Sequence, residues 1–461
     1  MIKNQQGSQV ILTVNPLTQK TLSQYSFLNE QDIQNQLWSI QSAYALWKIK
    51  PVEARVTHIE TLISLLTEKE EALAMLITQE MGKPISQSRI EIQKCIRCCE
   101  YYADTSTEVL CDEYLEYYRI TYQPIGIILG IMPWNFPFWQ VFRFAIPTLM
   151  TGNACLIKHA DNVSGCALAL EALFQEAGFQ NVFKTIFCSV KTTQALITNP
   201  AIKGVSLTGS IQAGRAVAKA AGEYLKPCIL ELGGNDGYYI HHDVENIQRV
   251  CQKIIDGRLI NSGQSCISPK RIFIHQKIYP LFKSTLIELL NNCDAPNDPM
   301  LSSTKVGPLA REDLLTKLKN QVKSLTEQGA NLLFQSQIPI QGLFFPITLL
   351  EIPSHIQVNE EIFGPVFCIQ KVEHEEAGIN AINQTEFGLG GGIFMKNAYD
   401  ADDMAKFHID AGLVGVNRYV FSTPELPFGG IKNSGMGREL SENALMNFCN
   451  IKVIMHDTPI L

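Results

Sequence analysis

No stretch of this chain is apolar for long enough to cross a bilayer: the longest, Ile125 to Trp134, is too short for a span and carries Pro133. The opening Met1-Ile2-Lys3-Asn4-Gln5-Gln6 is polar and lacks the apolar core of a secretion signal, so the expected compartment is the cytoplasm, with no membrane partner. Excess positive charge is missing too. A formal net charge of −7, with Lys and Arg interspersed among acids, leaves no broad basic field and argues against nucleic acid as a partner. Repeats and low-complexity tracts are absent. Cys95, Cys98 and Cys99 fall on an expected helix and read as packing, and His241-His242 as a solvated loop after a strand at Gly237 to Ile240, so no metal is predicted. Without a secretion signal, the thirteen cysteines are expected to stay reduced.

What is present is a long chain with ordinary apolar content: 461 residues should divide into two or three domains. Apolar residues at helical spacing, Ile59, Leu62, Ile63 and Leu66, then Leu73, Leu76 and Ile77, predict a helical layer between Asp32 and Tyr102, broken at Gly82-Lys83-Pro84. Tyr114 to Tyr122 reads as a strand and Ile125 to Met132 as a buried one. Strands at Ala154 to Lys158, Phe183 to Phe187, Gly204 to Thr208 and Cys228 to Leu232 then alternate with helices from Phe138, Ser164 and Ala213, which implies a doubly wound parallel sheet. A second alternation starts near Val244 and includes strands at Ile272 to His275, Phe367 to Val372 and Gly392 to Met395. Asn291 to Pro308 reads as an exposed connection, and Ile451 to Met455 as an edge strand that must be paired to stay soluble.

Two reactive side chains lie close to glycine: the thiol in Gly263-Gln264-Ser265-Cys266 and the carboxylate in Glu231-Leu232-Gly233-Gly234. A thiolate is the strongest nucleophile among the side chains, and a glutamate can activate water, so the pair suits the making and hydrolysis of a thioester. Taken singly, each residue is more often structural. Their company is Pro133-Trp134-Asn135-Phe136-Pro137, Leu207-Thr208-Gly209-Ser210, Glu360-Glu361-Ile362-Phe363-Gly364-Pro365-Val366 and Pro427-Phe428-Gly429-Gly430-Ile431-Lys432. In this order and at these separations the set resembles the aldehyde dehydrogenase superfamily along nearly the whole chain.

The resemblance implies an α/β fold of two doubly wound parallel-sheet domains plus a small β oligomerisation element. Residues 1–106 and 124–234 would bind NAD, residues 235–442 would carry the nucleophilic cysteine, and 107–123 with 443–461 would supply the oligomerisation strands of a homodimer or homotetramer. The usual Gly-x-Gly-x-x-Gly fingerprint is missing after the early strands, and Gly209-Ser210 with Gly214 stands in its place between a strand and a helix, where a pyrophosphate could rest. Similarity to the family assigns Lys158 and Glu361 to ribose hydroxyls, Trp134 to the cofactor cleft, Phe363 to the nicotinamide ribose side and Leu232 to the ring. Asp161 places a carboxylate where a 2′-phosphate would be repelled, which predicts NAD, with NADP possible.

In the implied mechanism Cys266 attacks an aldehyde, Asn135 and the backbone N–H of Cys266 hold the alkoxide, hydride leaves for the nicotinamide, and Glu231 directs water at the thioester. Glu439 matches a second acid near a proton path and equally suits a surface ion pair, while Phe144 replaces a lysine that many relatives carry. Arg143, on the helix after the Asn135 loop, matches an arginine with which succinate-semialdehyde dehydrogenases hold their substrate's carboxylate, and Ser441 matches their serine. A second arginine of that clamp is replaced by Ile260. Trp139-Gln140-Val141 and the ending Asn447-Phe448-Cys449-Asn450-Ile451 look like the bacterial NAD(P)-dependent branch of those enzymes, with Trp139 a further substrate residue. Oxidation of succinate semialdehyde is therefore the expected activity. A dehydrogenase for neutral or aromatic aldehydes and an idle structural protein on the same fold are the alternatives.

Overall fold

The computed structural model describes residues 2–3 and 9–460, so most of the polar opening Met1 to Gln6 lies outside the described residues. Three helices, Glu30–Trp47, Val52–Met81 and Ile85–Val109, form the helical layer. The last two are separated at Gly82, whose φ of +77° a β-carbon would disfavour. Cys95, Cys98 and Cys99 are buried in the third helix as apolar filling.

Against this layer packs a six-stranded sheet in the order Gly435–Met436, Cys228–Glu231, Ile202–Thr208, Ile127–Met132, Ala154–His159, Phe183–Thr185. All neighbours are parallel except Gly435–Met436, which runs antiparallel along the edge and pairs Gly435 with Glu231. The order reverses between Ile127–Met132 and Ile202–Thr208, and the loops leaving their carboxyl ends are Pro133-Trp134-Asn135 and Gly209-Ser210. A crevice for ligands is expected at such a switch point.

After Glu231 the chain crosses directly into a seven-stranded sheet ordered Asn331–Gln335, Thr348–Glu351, Val366–Val372, Arg271–His275, Gly237–Ile240, Gly390–Phe394, Leu413–Val416. Its only antiparallel pair is at the Asn331–Gln335 edge. Cys266 lies between the helix Ile247–Leu259 and the strand Arg271–His275, where the two sheets meet. Two three-stranded antiparallel sheets complete the described residues: Ile2–Lys3, Gln9–Val14 and Thr21–Ser26 form one, and in the other Tyr118–Pro124 pairs with Glu113–Leu115 on one side and Cys449–Met455 on the other. The predicted single strand Tyr114 to Tyr122 is thus a hairpin. The connection predicted as exposed from Asn291 to Pro308 is so only in its first part; Val306, Gly307 and Pro308 are buried, and the Gly307 amide donates to the Ser262 hydroxyl (2.9 Å) in the loop that leads to Cys266.

Candidate active site

Three consecutive residues ahead of Cys266, Asn261, Ser262 and Gly263, have φ of +53°, +56° and +75°. Such a run is held only if its surroundings over-determine it. Arg258, wholly buried, donates to the carbonyls of Val366 (2.7 Å), Ile362 (2.8 Å) and Gly263 (3.2 Å) and to the Ser268 hydroxyl (2.5 Å). The Asn261 amide reaches the Asn135 carbonyl at 2.7 Å, and the Asn135 amide reaches the Gln264 carbonyl at 3.1 Å. The loop with the matched oxyanion donor and the loop with the thiol are therefore one hydrogen-bonded unit.

The Asn135 loop is braced from behind. Glu91, on the helix Ile85–Val109, accepts from the amides of Phe138 (2.9 Å) and Trp139 (3.0 Å), so a carboxylate from another helix caps Trp139–Met150. Lys83 forms a buried ion pair with Glu91. The His159 ring accepts from the Ala160 amide through Nδ1 (2.8 Å), which leaves Nε2 to donate to the Pro137 carbonyl (2.8 Å); burial lowers its pKa to about 4 and keeps it neutral.

Glu231 ends the strand Cys228–Glu231 and is wholly buried, with Gly429 packed against its carboxylate. Both of its carboxylate oxygens are buried and lack a hydrogen-bond partner among the described residues. Burial raises its pKa well above the usual carboxylate range against the opposing pull of Arg143, and the Glu439 carboxylate raises it further. The Gly-Gly that follows is explained by close approach: a β-carbon on Gly233 would stand 2.5 Å from Glu361 Oε2, and one on Gly234 2.5 Å from the Cys266 carbonyl oxygen. Burial pushes the Cys266 thiol up to about 12, opposed by Arg143 and by Lys270. Lys270, fully buried, donates to the Cys266 carbonyl at 2.7 Å and lies 3.6 Å from Glu361.

Two cavities meet at Cys266. One, about 200 Å³, opens at the sheet's switch point and is lined by Trp134, Gly209, Ser210, Leu232, Glu361 and Phe363, together with Asn135. Trp134 and Phe363 stand edge to face across it at 5.8 Å. Ser210 caps the helix Ile211–Glu223, accepting from the Ala213 amide at 3.3 Å, and Glu361 accepts from the Gly234 amide at 3.1 Å. Gly214 lies one turn into that helix and serves packing: a β-carbon there would stand 2.6 Å from both Leu232 methyls. Lys158 and Asp161 lie at the carboxyl end of the strand Ala154–His159, outside the lining of this cavity, and pair with each other at 2.6 Å. The aromatic walls, the glycine turn at a helix start and the fixed carboxylate fit a dinucleotide.

The second cavity, about 390 Å³, is lined by Trp139, Arg143, Ile260, Phe428, Ser422 and Lys94 among others, and shares Gln140 and Cys266 with the first. Arg143 is not a free cation. Its Nε lies 2.5 Å from Glu439 Oε2, its Nη2 donates to the Thr208 hydroxyl at 3.1 Å, and the guanidinium stacks 4.7 Å from the Phe428 ring. Glu439 is buried and also accepts from Ser206 at 3.2 Å, so it is not a surface residue. Ser441 is not brought to this cavity; its φ is +49°, and its hydroxyl accepts from the Asn443 amide at 3.3 Å.

The residues that sequence reasoning missed are Lys94, Arg258 and Lys270. A helical period places position 94 with 91 and 98 on the inward face of its helix, a signal that was available. Nothing in the sequence around Arg258 or Lys270 distinguishes a buried cation from an exposed one.

The family model described as "Aldehyde dehydrogenase family" matches residues 2–454. A succinate-semialdehyde dehydrogenase [NADP(+)] of Deinococcus radiodurans is 36% identical, with 96% of this chain and 94% of that protein covered. A succinate semialdehyde dehydrogenase [NAD(P)+] of Escherichia coli is 35% identical, covering 97% and 98%. Among solved structures, the succinic semialdehyde dehydrogenase of Streptococcus pyogenes in complex with NADP+ superposes with a TM-score of 0.92 at 32% identity, covering 96% of this chain and 99% of that one. A thiol at the junction of a dinucleotide cleft and a second cavity, and likeness along the whole length, lead to one conclusion: the chain belongs to the aldehyde dehydrogenase family, enzymes that oxidise aldehydes with NAD(P).

Proposed function

We propose that the protein oxidises succinate semialdehyde to succinate with NAD(P), through a thioester on Cys266. The observation that carries the reading is the position of Cys266 at the meeting of the two cavities, one fitted to a dinucleotide and the other walled by Trp139 and Phe428 with basic groups among them. The names of the relatives in Deinococcus radiodurans and Escherichia coli support the choice of aldehyde.

Cys266 gives up its thiol proton to water, its sulfur adds to the aldehyde carbon, and the carbonyl π pair moves onto oxygen. Asn135 spends one amide N–H on the Gln264 carbonyl, which leaves the other to hold the oxyanion together with the Cys266 backbone N–H. The nicotinamide ring, when bound, supplies the two-electron acceptor that turns this adduct into a thioester. Glu231, once deprotonated, takes a proton from water as the water oxygen attacks; the carbon–sulfur bond breaks and Cys266 is restored. Arg143 and Glu439 form a neutral pair that sets the field at Glu231.

At the adenosine end, Asp161 and Lys158 offer an acceptor for ribose hydroxyls and a cation for a phosphate side by side, which suits both NAD and NADP. In this reading residues 1–106 and 124–234 hold the cofactor, 235–442 supply the nucleophile, and 107–123 with 443–461 join subunits into a homodimer or homotetramer, while Gly435–Met436 crosses back to pair in the first sheet. None of the described helices is long and apolar enough to cross a membrane, in keeping with work in the cytoplasm.

The test is NADH and NADPH formation by purified protein with succinate semialdehyde beside butanal. A kcat/KM for succinate semialdehyde at least about tenfold above that for butanal is expected from a charge-assisted contact to its carboxylate. Equal values for the two would keep the chemistry and discard the substrate.

A further inference from the structure

Arg143 is the residue that family likeness would select to hold a substrate carboxylate, yet its charge is balanced within the protein by Glu439, and a second donor is spent on Thr208. A carboxylate entering this cavity needs a different cation. Lys94 lines the same cavity from the helix Ile85–Val109. Its ammonium group donates to the Ser422 hydroxyl at 2.6 Å and lies 4.1 Å from the Trp139 ring centre. Among the described residues no carboxylate pairs with it, because the nearest acid on its own helix, Glu91, is taken by Lys83 and by the amides of Phe138 and Trp139. An ammonium has three donors, and one of them is hydrogen-bonded here. Ser422 is itself fixed by the Trp139 indole N–H at 3.2 Å, so the lysine head is held in place by an aromatic face and a hydroxyl. This is a preorganised cation without a counter-ion, at the edge of a cavity that also contains the nucleophile.

We infer that Lys94, with Ser422 beside it, is the group that binds the carboxylate of the aldehyde substrate and thereby sets the preference for an acid aldehyde, while Arg143 serves the buried Glu439. The assignment rests on the acid-aldehyde reading above and deepens it. Burial and the charge of Arg143 lower the Lys94 pKa to about 7, against the opposing pull of Glu91, and a bound carboxylate would favour its charged form. The replacement of a second arginine by Ile260, which lines the same cavity, agrees with a clamp moved to another helix.

The experiment compares kcat and KM for succinate semialdehyde and for butanal in the wild type, Lys94→Met, Lys94→Gln and Lys94→Arg. Removal of a charge-assisted contact should lower the ratio of kcat/KM values, acid over neutral, by about tenfold to hundredfold, through KM, with Lys94→Arg recovering most of the ratio. A ratio within about twofold of wild type in a correctly melting Lys94→Met or Lys94→Gln protein overturns the assignment while leaving the acid-aldehyde reading intact. No acid preference in the wild type overturns both. A measurement on the wild type alone guards against variants that misfold: acetylation of Lys94 by an N-hydroxysuccinimide ester, followed by peptide mass spectrometry. Butyrate should protect the lysine and butyramide should not; equal labelling in the two refutes carboxylate binding at Lys94.

Discussion

At the scale of single residues, burial displaces the pKa of Cys266 and of Glu231 upward. With the Cys266 thiol pushed up to about 12, its alkylation by iodoacetamide in the cofactor-free protein should rise about tenfold per pH unit across the neutral and mildly alkaline range. A plateau near the pKa of an ordinary free thiol, about 8.5, would show that burial is not what governs it. Glu231 is displaced in the same direction, and only its deprotonated form can activate water; thioester hydrolysis should therefore climb as pH rises through its elevated value. Glu231→Gln should give one equivalent of NADH in a burst and then turn over about 10²- to 10⁴-fold more slowly, which stopped-flow absorbance resolves. Asp161, half exposed and paired only with Lys158, is the residue to change for cofactor choice. Asp161→Ser should lower the KM for NADP relative to that for NAD by about tenfold, as removal of a repelling charge from a 2′-phosphate requires.

At the scale of elements, the site depends on three loops that approach more closely than side chains permit. Gly234→Ala would drive a β-carbon to 2.5 Å from the Cys266 carbonyl oxygen and displace the thiol. We expect kcat to fall by about tenfold to hundredfold with the melting temperature little altered, because a shift of about 1 Å in a reacting group has that effect. The glycines were visible as letters, but what each one avoids was not: Gly233 makes room for Glu361, Gly234 for the nucleophile loop, and Gly214 for Leu232 rather than for a phosphate. Elements were legible in proportion to their length. The long helices and the strands Ile127–Met132, Ala154–His159 and Ile202–Thr208 carry clear periodicity or continuous apolar runs. Asn331–Gln335 and Thr348–Glu351 are short leucine-containing strands whose letters do not separate strand from helix, and the two-residue Gly435–Met436 has no pattern at all. That last strand nonetheless pairs with Glu231 and brings Pro427-Phe428-Gly429 to the base, where a β-carbon on Gly429 would stand 2.7 Å from its carboxylate.

At the scale of the whole molecule, the sheet built on Tyr118–Pro124 leaves Cys449–Met455 as a free edge, with Ile451, Val453 and Met455 exposed in alternation on one face. Such an edge favours pairing with another strand. Val453→Asp should shift the protein to a smaller species in sedimentation velocity without loss of secondary structure; an unchanged assembly would move the subunit contact elsewhere. The family and the alternation of strands and helices were readable from motif order and periodicity, as was the candidacy of Cys266 and Asn135, which the fold brings to one cavity wall. The charge state and pairing of the basic residues were not. Arg143 and Lys94 are both cations facing one cavity, and only the fold, by setting buried Glu439 against one and a serine and an indole against the other, decides which is neutralised and which is left for a ligand. Electrostatic partnership depends on distance in space and on burial, and neither is written in the spacing of residues along the chain.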